Sequence, residues 1–230
     1  MGDIHGHVLA LDQCLERCEF NASTDLLIQL GDVSDRGPDT AWVVERLLNI
    51  PHLIAIRGNH DEWTMDWMVK GVLHPAWVEN GGQETLESYQ RMTNVDLEKH
   101  RRFFSDIQQD HYIDAQNNLF THGGFVSEKG PAYDHPPTTC RWDRSLWNKA
   151  LSGKASQVRP KVLTSFREIY IGHTPTLNWH TTEPMNACNV WNLDTGAGTT
   201  GKLTIMDMNT KEYWQSDPVS GFYEQKKSSN

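Results

Sequence analysis

The sequence predicts an α/β fold, and three observations point to it. Short apolar runs at Asp25–Leu30 and His52–Ile56 each end in a glycine followed by an oxygen-bearing side chain, Gly31-Asp32 and Gly58-Asn59. Between them, Thr40–Leu48 repeats its apolar residues at helical spacing. Further strand-like runs return at Leu119–Thr121, Glu168–Ile171, Val190–Leu193 and Leu203–Met206. Strand, polar turn, helix and strand in that order form an α/β unit whose turns collect at one sheet edge, where ligands of open α/β sheets sit.

Each element follows from local pattern. Val8–Cys18 reads as a helix because Leu11, Leu15 and Cys18 share a face. From about residue 62 to 110 the chain turns Trp-rich, charged and helix-like, broken at Asn80-Gly81-Gly82, and this stretch reads as a helical cap inserted in the scaffold. The whole of 1–230 is then expected to form a single domain carrying that insertion, which suits its length. The polar tail Glu224–Asn230 is expected to fray.

Composition narrows the function classes. The formal net charge of −9 disfavours nonspecific attraction to nucleic acid or an anionic bilayer, so an anionic substrate must be held by local cations. No apolar run approaches the roughly 20 residues of a membrane span, and the N-terminus has no basic segment followed by an apolar stretch, so a soluble, cytoplasmic chain is expected. Cys14, Cys18, Cys140 and Cys188 have no CxxC spacing and are expected as reduced thiols. Cys14 and Cys18, one helical turn apart, read as helix packing rather than a soft-metal site.

Four motifs carry the chemistry: GDIHG at Gly2–Gly6, GDVSDRG at Gly31–Gly37, GNHD at Gly58–Asp61 and IGHTP at Ile171–Pro175. In an extended segment Asp3 and His5 share a face and can meet one ion. Asp32 can bridge two cations about 3.5–4 Å apart, the separation of two-metal hydrolases. Asn59, His122 and His173 add one amide oxygen and two imidazoles, each after a strand. A mixed O and N donor set without thiolate suits Mn, Fe or Zn. Taken singly, each motif is also a polar turn or a strand-end histidine; their ordered occurrence at successive strand ends outweighs that reading.

Together these motifs resemble the phosphoprotein phosphatases of the calcineurin-like metallophosphoesterase superfamily, whose signature is GDxHG, GDxxDRG and GNH[ED] followed by two later histidines. The segment Asn80–Tyr89 (NGGQETLESY) is similar to the bacterial and phage members. The resemblance implies a β-sandwich of two mixed sheets flanked by helices, with the small helical cap. It implies two divalent metal ions, Mn2+ foremost with Fe or Zn as alternatives: Asp3, His5 and Asp32 on the first; Asp32, Asn59, His122 and His173 on the second. It further implies hydrolysis of phosphoserine and phosphothreonine in proteins, and of phosphotyrosine in some members, by a metal-bridging hydroxide attacking directly.

By the same resemblance His60 protonates the leaving group, Asp35 is its carboxylate partner, and Arg36 with Asn59 contacts the phosphate. A second phosphate-binding arginine is expected between the late histidines, with Arg144 the better match and Arg141 the competitor. Dinucleoside tetraphosphate hydrolases are similar in the first and third motifs but lack the acidic residue before the arginine of the second. Here Asp35-Arg36 is intact, which favours a phosphomonoesterase on a phosphoprotein or phosphopeptide, with the nucleotide hydrolase as the alternative. A non-catalytic phosphoprotein-binding scaffold is the reading from a different class.

Two features remain outside this scheme. Leu193-Asp194-Thr195-Gly196 matches the Asp-Thr-Gly of aspartic proteases, but that chemistry needs a second copy or an obligate dimer and the chain has one copy, so Asp194 reads as structural or as a support behind the metal ligands. Several of the nine tryptophans, Trp63, Trp67, Trp77, Trp142 and Trp147 among them, could frame a substrate groove, although core packing and cap anchoring explain them more simply. The first motif is also unusual. Only Met1 precedes Gly2, so neighbouring backbone groups are expected to lack ladder partners and the first metal site to be loose.

Overall fold

The computed structural model describes residues 1–94 and 96–223; the tail Glu224–Asn230 lies outside the described residues. Among the described residues, nine short strands form a parallel pair, a five-stranded sheet packed against it and a hairpin, with helices between them. The first half supplies β1 (Leu27–Gln29) and β2 (Leu53–Ala55), a parallel pair in register Leu27 to Leu53. The second sheet has the order β3-β4-β5-β7-β6, from β3 (His111–Ile113), β4 (Leu119–Thr121), β5 (Ile169–Ile171), β6 (Met185–Ala187) and β7 (Val190–Asn192). Its three central strands run parallel and its edges antiparallel, so the sheet is mixed. The hairpin β8 (Thr204–Met206) and β9 (Tyr213–Gln215) belongs with the first pair.

What joins that hairpin to β1 is the N-terminus itself. Met1 accepts from Leu30 N at 3.0 Å and donates its amino group to Ile28 O at 2.8 Å, while Gly2 N donates to Thr204 O at 3.0 Å. Ile4 and His5 N both donate to Asp32 O. The expected loss of ladder partners is therefore not met over Met1–His5, which holds the central place between β1 and β8. Beyond Met1 a groove of about 420 Å³ runs on between those two strands, lined by Ile28, Leu26, Ile205, Met206 and Met208 among others.

Side-chain alternation explains the layers. In β4 and β5, Phe120 and Tyr170 point inward and stack with ring centroids 4.9 Å apart, joining Leu30, Ile56 and Leu193 between the sheets. Leu119, Ile169 and Ile171 point to the opposite face and meet Phe125, Leu146 and Trp147, the last two from the helix Ser145–Ser156. A strand buried on both faces reads as a continuous apolar run, which is why these were legible. On the outer face of the first sheet lie α1 (Val8–Arg17) and α2 (Thr40–Leu48), contributing Leu11, Cys14, Val44 and Leu47 to a third cluster with Ile4 and Val33. Each fully buried leucine or phenylalanine stabilises by roughly 2 kcal/mol, so these faces anchor the turns that carry the motifs.

Between β2 and β3 the chain is helical: α3 (Asn59–Lys70), a turn at Pro75–Trp77, α4 (Gln83–Arg91) and α5 (Leu97–Arg102). The helical stretch begins three residues before the expected boundary, because Asn59 and His60 already form the first turn of α3. All four cysteines are free, and Cys14 is packed in the core as expected. Among the described residues, no helix is long and apolar enough to cross a membrane.

Candidate metal centre

The strand ends place the donors. Asp32 follows β1, Asn59 follows β2, His122 follows β4 and His173 follows β5, while Asp3 and His5 arrive on the N-terminal stretch beside them. Ligand atoms of Asp3, His5 and Asp32 lie within 4.8 Å of one another, as do those of Asp32, His122 and His173. Asp32 is common to both groups, with Oδ2 3.5 Å from His5 Nε2 and 3.3 Å from His122 Nε2. Asn59 Oδ1 lies 3.2 Å from His122 Nε2, which brings the sixth predicted donor into the second group. Every donor residue is buried.

Each histidine's free nitrogen is set by what the other one binds. His5 Nδ1 donates to Ser34 O at 2.9 Å and His122 Nδ1 to Leu30 O at 2.8 Å, so both turn Nε2 toward Asp32. His173 does the reverse. Its Nε2 donates to Trp142 O at 3.1 Å, leaving Nδ1 for the cluster. Asp3 Oδ2 accepts from His173 N at 3.0 Å, while Oδ1 is buried with no hydrogen-bond partner. A buried carboxylate oxygen without a donor is costly unless a cation faces it, so the residues present fit divalent metal.

The protonation pattern agrees. Burial, with Arg36 and His60 nearby, holds His5 well below the ordinary histidine range, and burial with His122 and Arg144 does the same to His173. Both rings are thus neutral donors. Burial and the neighbouring Asp194 push Asp3 up. Burial would lift Asp32 too, but His122 and His60 hold it well below the usual carboxylate range; burial opposes the proton on His122, yet Asp32 and Asp3 push that ring up to about 10. A cation would displace that proton and take the imidazole's place as partner to Asp32.

The loops that deliver these groups are strained. His5, Asp32, Asp35, Arg36 and His173 all have positive φ, between 49° and 74°. That region costs non-glycine residues of order 1–3 kcal/mol each and clusters at functional sites. Close backbone approach explains the glycines: a Cβ on Gly58 would lie 2.0 Å from Asp32 Oδ1, and one on Gly172 would lie 2.0 Å from Asp3 Oδ1.

Beside the donors, His60 Nδ1 bonds Asp35 Oδ2 at 2.7 Å and leaves Nε2 facing the centre. Arg36 spreads its fork over that side, Nη1 3.4 Å from His5 Nε2 and Nη2 3.2 Å from His60 Nε2. His60 N donates to Asp32 Oδ1 at 3.0 Å, so the positive end of α3 also points at the cluster. Of the two arginine candidates, Arg141 is engaged by Glu62 at 2.9 Å and Asp110 at 2.7 Å. Arg144 sits beside the cluster, donating Nη1 to His173 O at 2.7 Å and to Thr174 Oγ1 at 3.0 Å.

The tryptophans divide. Trp77 and Trp147 are fully buried, whereas Trp63 packs edge-on against His60 and touches Trp142, which is 42% exposed. Trp63 and Trp142 border the site from the open side, and Trp77 reaches it from within through Asp35. Asp194 is buried below Asp3, its Oδ1 accepting from Gly196 N at 3.1 Å, in keeping with a structural place. Sequence reasoning missed Asp61, whose Oδ1 accepts from Val33 N at 2.9 Å and whose Oδ2 accepts from Gly58 N at 3.0 Å, tying the second motif to the third. Its position as the last residue of Gly-Asn-His-Asp was the available signal.

Over 213 residues the chain is 28% identical to serine/threonine-protein phosphatase 1 of Salmonella typhimurium (strain LT2), covering 89% of this chain and 88% of that one. A 62-residue stretch, 26% of this chain and 22% of the relative, is 37% identical to a symmetrical bis(5'-nucleosyl)-tetraphosphatase of Pseudomonas putida. Among solved structures, a putative diadenosine tetraphosphatase superposes with a TM-score of 0.66 at 19% identity, covering 94% of this chain and 90% of that one, which speaks to the fold. Residues 1–195 match the calcineurin-like phosphoesterase family, and with that match the chain belongs to the calcineurin-like phosphoesterases.

Proposed function

We propose that this metallophosphoesterase is a phosphomonoesterase acting on phosphoserine and phosphothreonine in proteins or peptides, with manganese as its metal. The observation that carries the reading is the buried Asp35–His60 pair at 2.7 Å beside the donor cluster, with Arg36 Nη2 3.2 Å from the ring's Nε2. Asp3, His5 and Asp32 would hold one ion; Asp32, Asn59, His122 and His173 would hold the other. Bound there, two divalent ions supply an activated water and positive charge for the phosphoryl oxygens.

The chain's own residues do the rest. Arg36, beside His5 and His60, and Arg144, beside His173, present guanidinium groups suited to the charge and geometry of phosphate oxygens. Asn59, at the first turn of α3, presents its side-chain amide to the same space. His60 hands its proton to the departing alkoxide from Nε2 while Asp35 keeps the ring aligned. A serine or threonine alkoxide is a poor leaving group, so a braced acid matters most for that substrate class. A nucleotide tetraphosphate leaves as a stabilised anion and has less need of it.

The similarity to a bis(5'-nucleosyl)-tetraphosphatase over 62 residues favours the second reading, hydrolysis of dinucleoside tetraphosphates. The test is a parallel assay of a phosphoserine peptide, a phosphothreonine peptide and diadenosine tetraphosphate on the Mn-loaded protein. Faster turnover of the phosphopeptides is expected; preference for the dinucleotide would reverse the assignment, and a metal-loaded protein that turns over none would make it a binding protein.

A further inference from the structure

Asp35 is held by more than its histidine. Trp77 Nε1 donates to Asp35 Oδ1 at 2.9 Å and Oδ2 at 2.8 Å, and Thr85 Oγ1 donates to Oδ1 at 2.7 Å. Thr85 Oγ1 also accepts from Asp35 N at 2.9 Å, so one hydroxyl clasps both ends of the residue. The turn between these two residues is shaped for the task. Gly81 O accepts from Arg36 N at 3.0 Å, and a Cβ on Gly81, whose φ is +107°, would lie 2.6 Å from that same nitrogen. A Cβ on Gly82 would lie 2.5 Å from the Trp77 ring. Trp77, Thr85 and Asp35 are each fully buried.

Without this turn, Asp35 and Arg36 would have to keep positive φ values of 74° and 67° with little to hold them. Three donors on two carboxylate oxygens fix the plane of Asp35, and that plane fixes the ring of His60. We infer that Trp77 and Thr85 are positioning residues for the leaving-group acid, through which the helical segment between β2 and β3 sets the alignment of His60. This rests on the reading of His60 as the acid. The consequence is specific: loosening the carboxylate should harm proton delivery to a poor leaving group far more than phosphate binding or metal loading.

The variants are Trp77→Phe, which keeps a ring against Gly82 and deletes the donor, and Thr85→Val, with Thr85→Ser restoring the hydroxyl. On Mn-loaded protein, kcat for a phosphoserine peptide should fall by about 10- to 100-fold in W77F and T85V, against about 3-fold or less for 4-nitrophenyl phosphate. KM and Mn affinity should stay near the parent's, and T85S should recover most of the peptide activity. Equal losses on both substrates, or no loss, would overturn the inference. His60→Ala run alongside separates the two claims: a leaving-group split in H60A but not in W77F, T85V and T85S sinks the positioning role alone, whereas no split in H60A sinks the acid reading beneath it. Should W77F melt below the assay temperature, the T85V and T85S pair decides by the same ratio.

Discussion

At the residue scale, two arginines with similar sequence credentials have different surroundings, and that difference is testable. Arg141 is buried against Glu62 and Asp110. Glu62 and Asp110 are partly exposed, so removing the guanidinium leaves two carboxylates that water still reaches and costs about 1–3 kcal/mol. Arg141→Ala should therefore lower the melting temperature by several degrees while leaving KM for a phosphopeptide close to the parent's. Arg144→Ala should do the opposite, raising KM about ten-fold with little change in the melt. Thermal melts and steady-state kinetics on both variants check this, and a KM effect confined to R141A would exchange the two assignments. Sequence pattern brought both arginines forward because they lie three residues apart; only the carboxylates that claim Arg141, from α3 and from the residue before β3, tell them apart, and those contacts are long-range.

The contact of α4 and α5 with α2 makes stability depend on pH. His100 of α5 is buried, receiving the Tyr89 hydroxyl on Nδ1 at 2.8 Å and donating Nε2 to Glu45 of α2 at 2.9 Å. Both ring nitrogens are satisfied in the neutral form, and burial holds the ring below its ordinary value of 6.5 in spite of Glu45. The unfolded chain thus binds this proton more readily than the folded one, so stability is full above about pH 6.5 and is lost as the pH falls below it. His100→Gln should lower stability at pH 7 and flatten its decline as the pH falls below about 6.5; melts above and below that pH on both proteins check it, and an unchanged slope would remove His100 as a source. Helix α2 was read from spacing to the residue because its apolar face repeats cleanly. Strands β3, β6 and β9 were not, since they alternate little and gain their order from a single neighbouring strand.

For the whole molecule, the sandwich depends on how its first sheet is completed. Met1 and Gly2 bridge β1 to β8, and a groove lined by Leu26, Ile28, Ile205, Met206 and Met208 runs on beyond them. An apolar strand fused ahead of Met1 should pair there and raise the melting temperature by about 5 °C or more; the same length of Gly-Ser linker should not. Equal melts for the two fusions would show that the stretch Met1–His5 already completes the sheet. The motifs were legible because their donors follow apolar runs at fixed offsets. Thr85 was legible only as part of the Asn80–Tyr89 resemblance and Trp77 only as a cap-anchoring tryptophan, because their shared role depends on a carboxylate some fifty residues earlier in the chain.

Asp32, common to both donor groups, would be shared by two metal ions held by these six residues. Electron paramagnetic resonance of the metal-free protein titrated with Mn2+ tests it most directly. Two equivalents per chain with an exchange-coupled spectrum, reduced to weak, uncoupled binding in Asp32→Asn, is the predicted result. A single bound ion, or two ions without coupling in the parent protein, would contradict it.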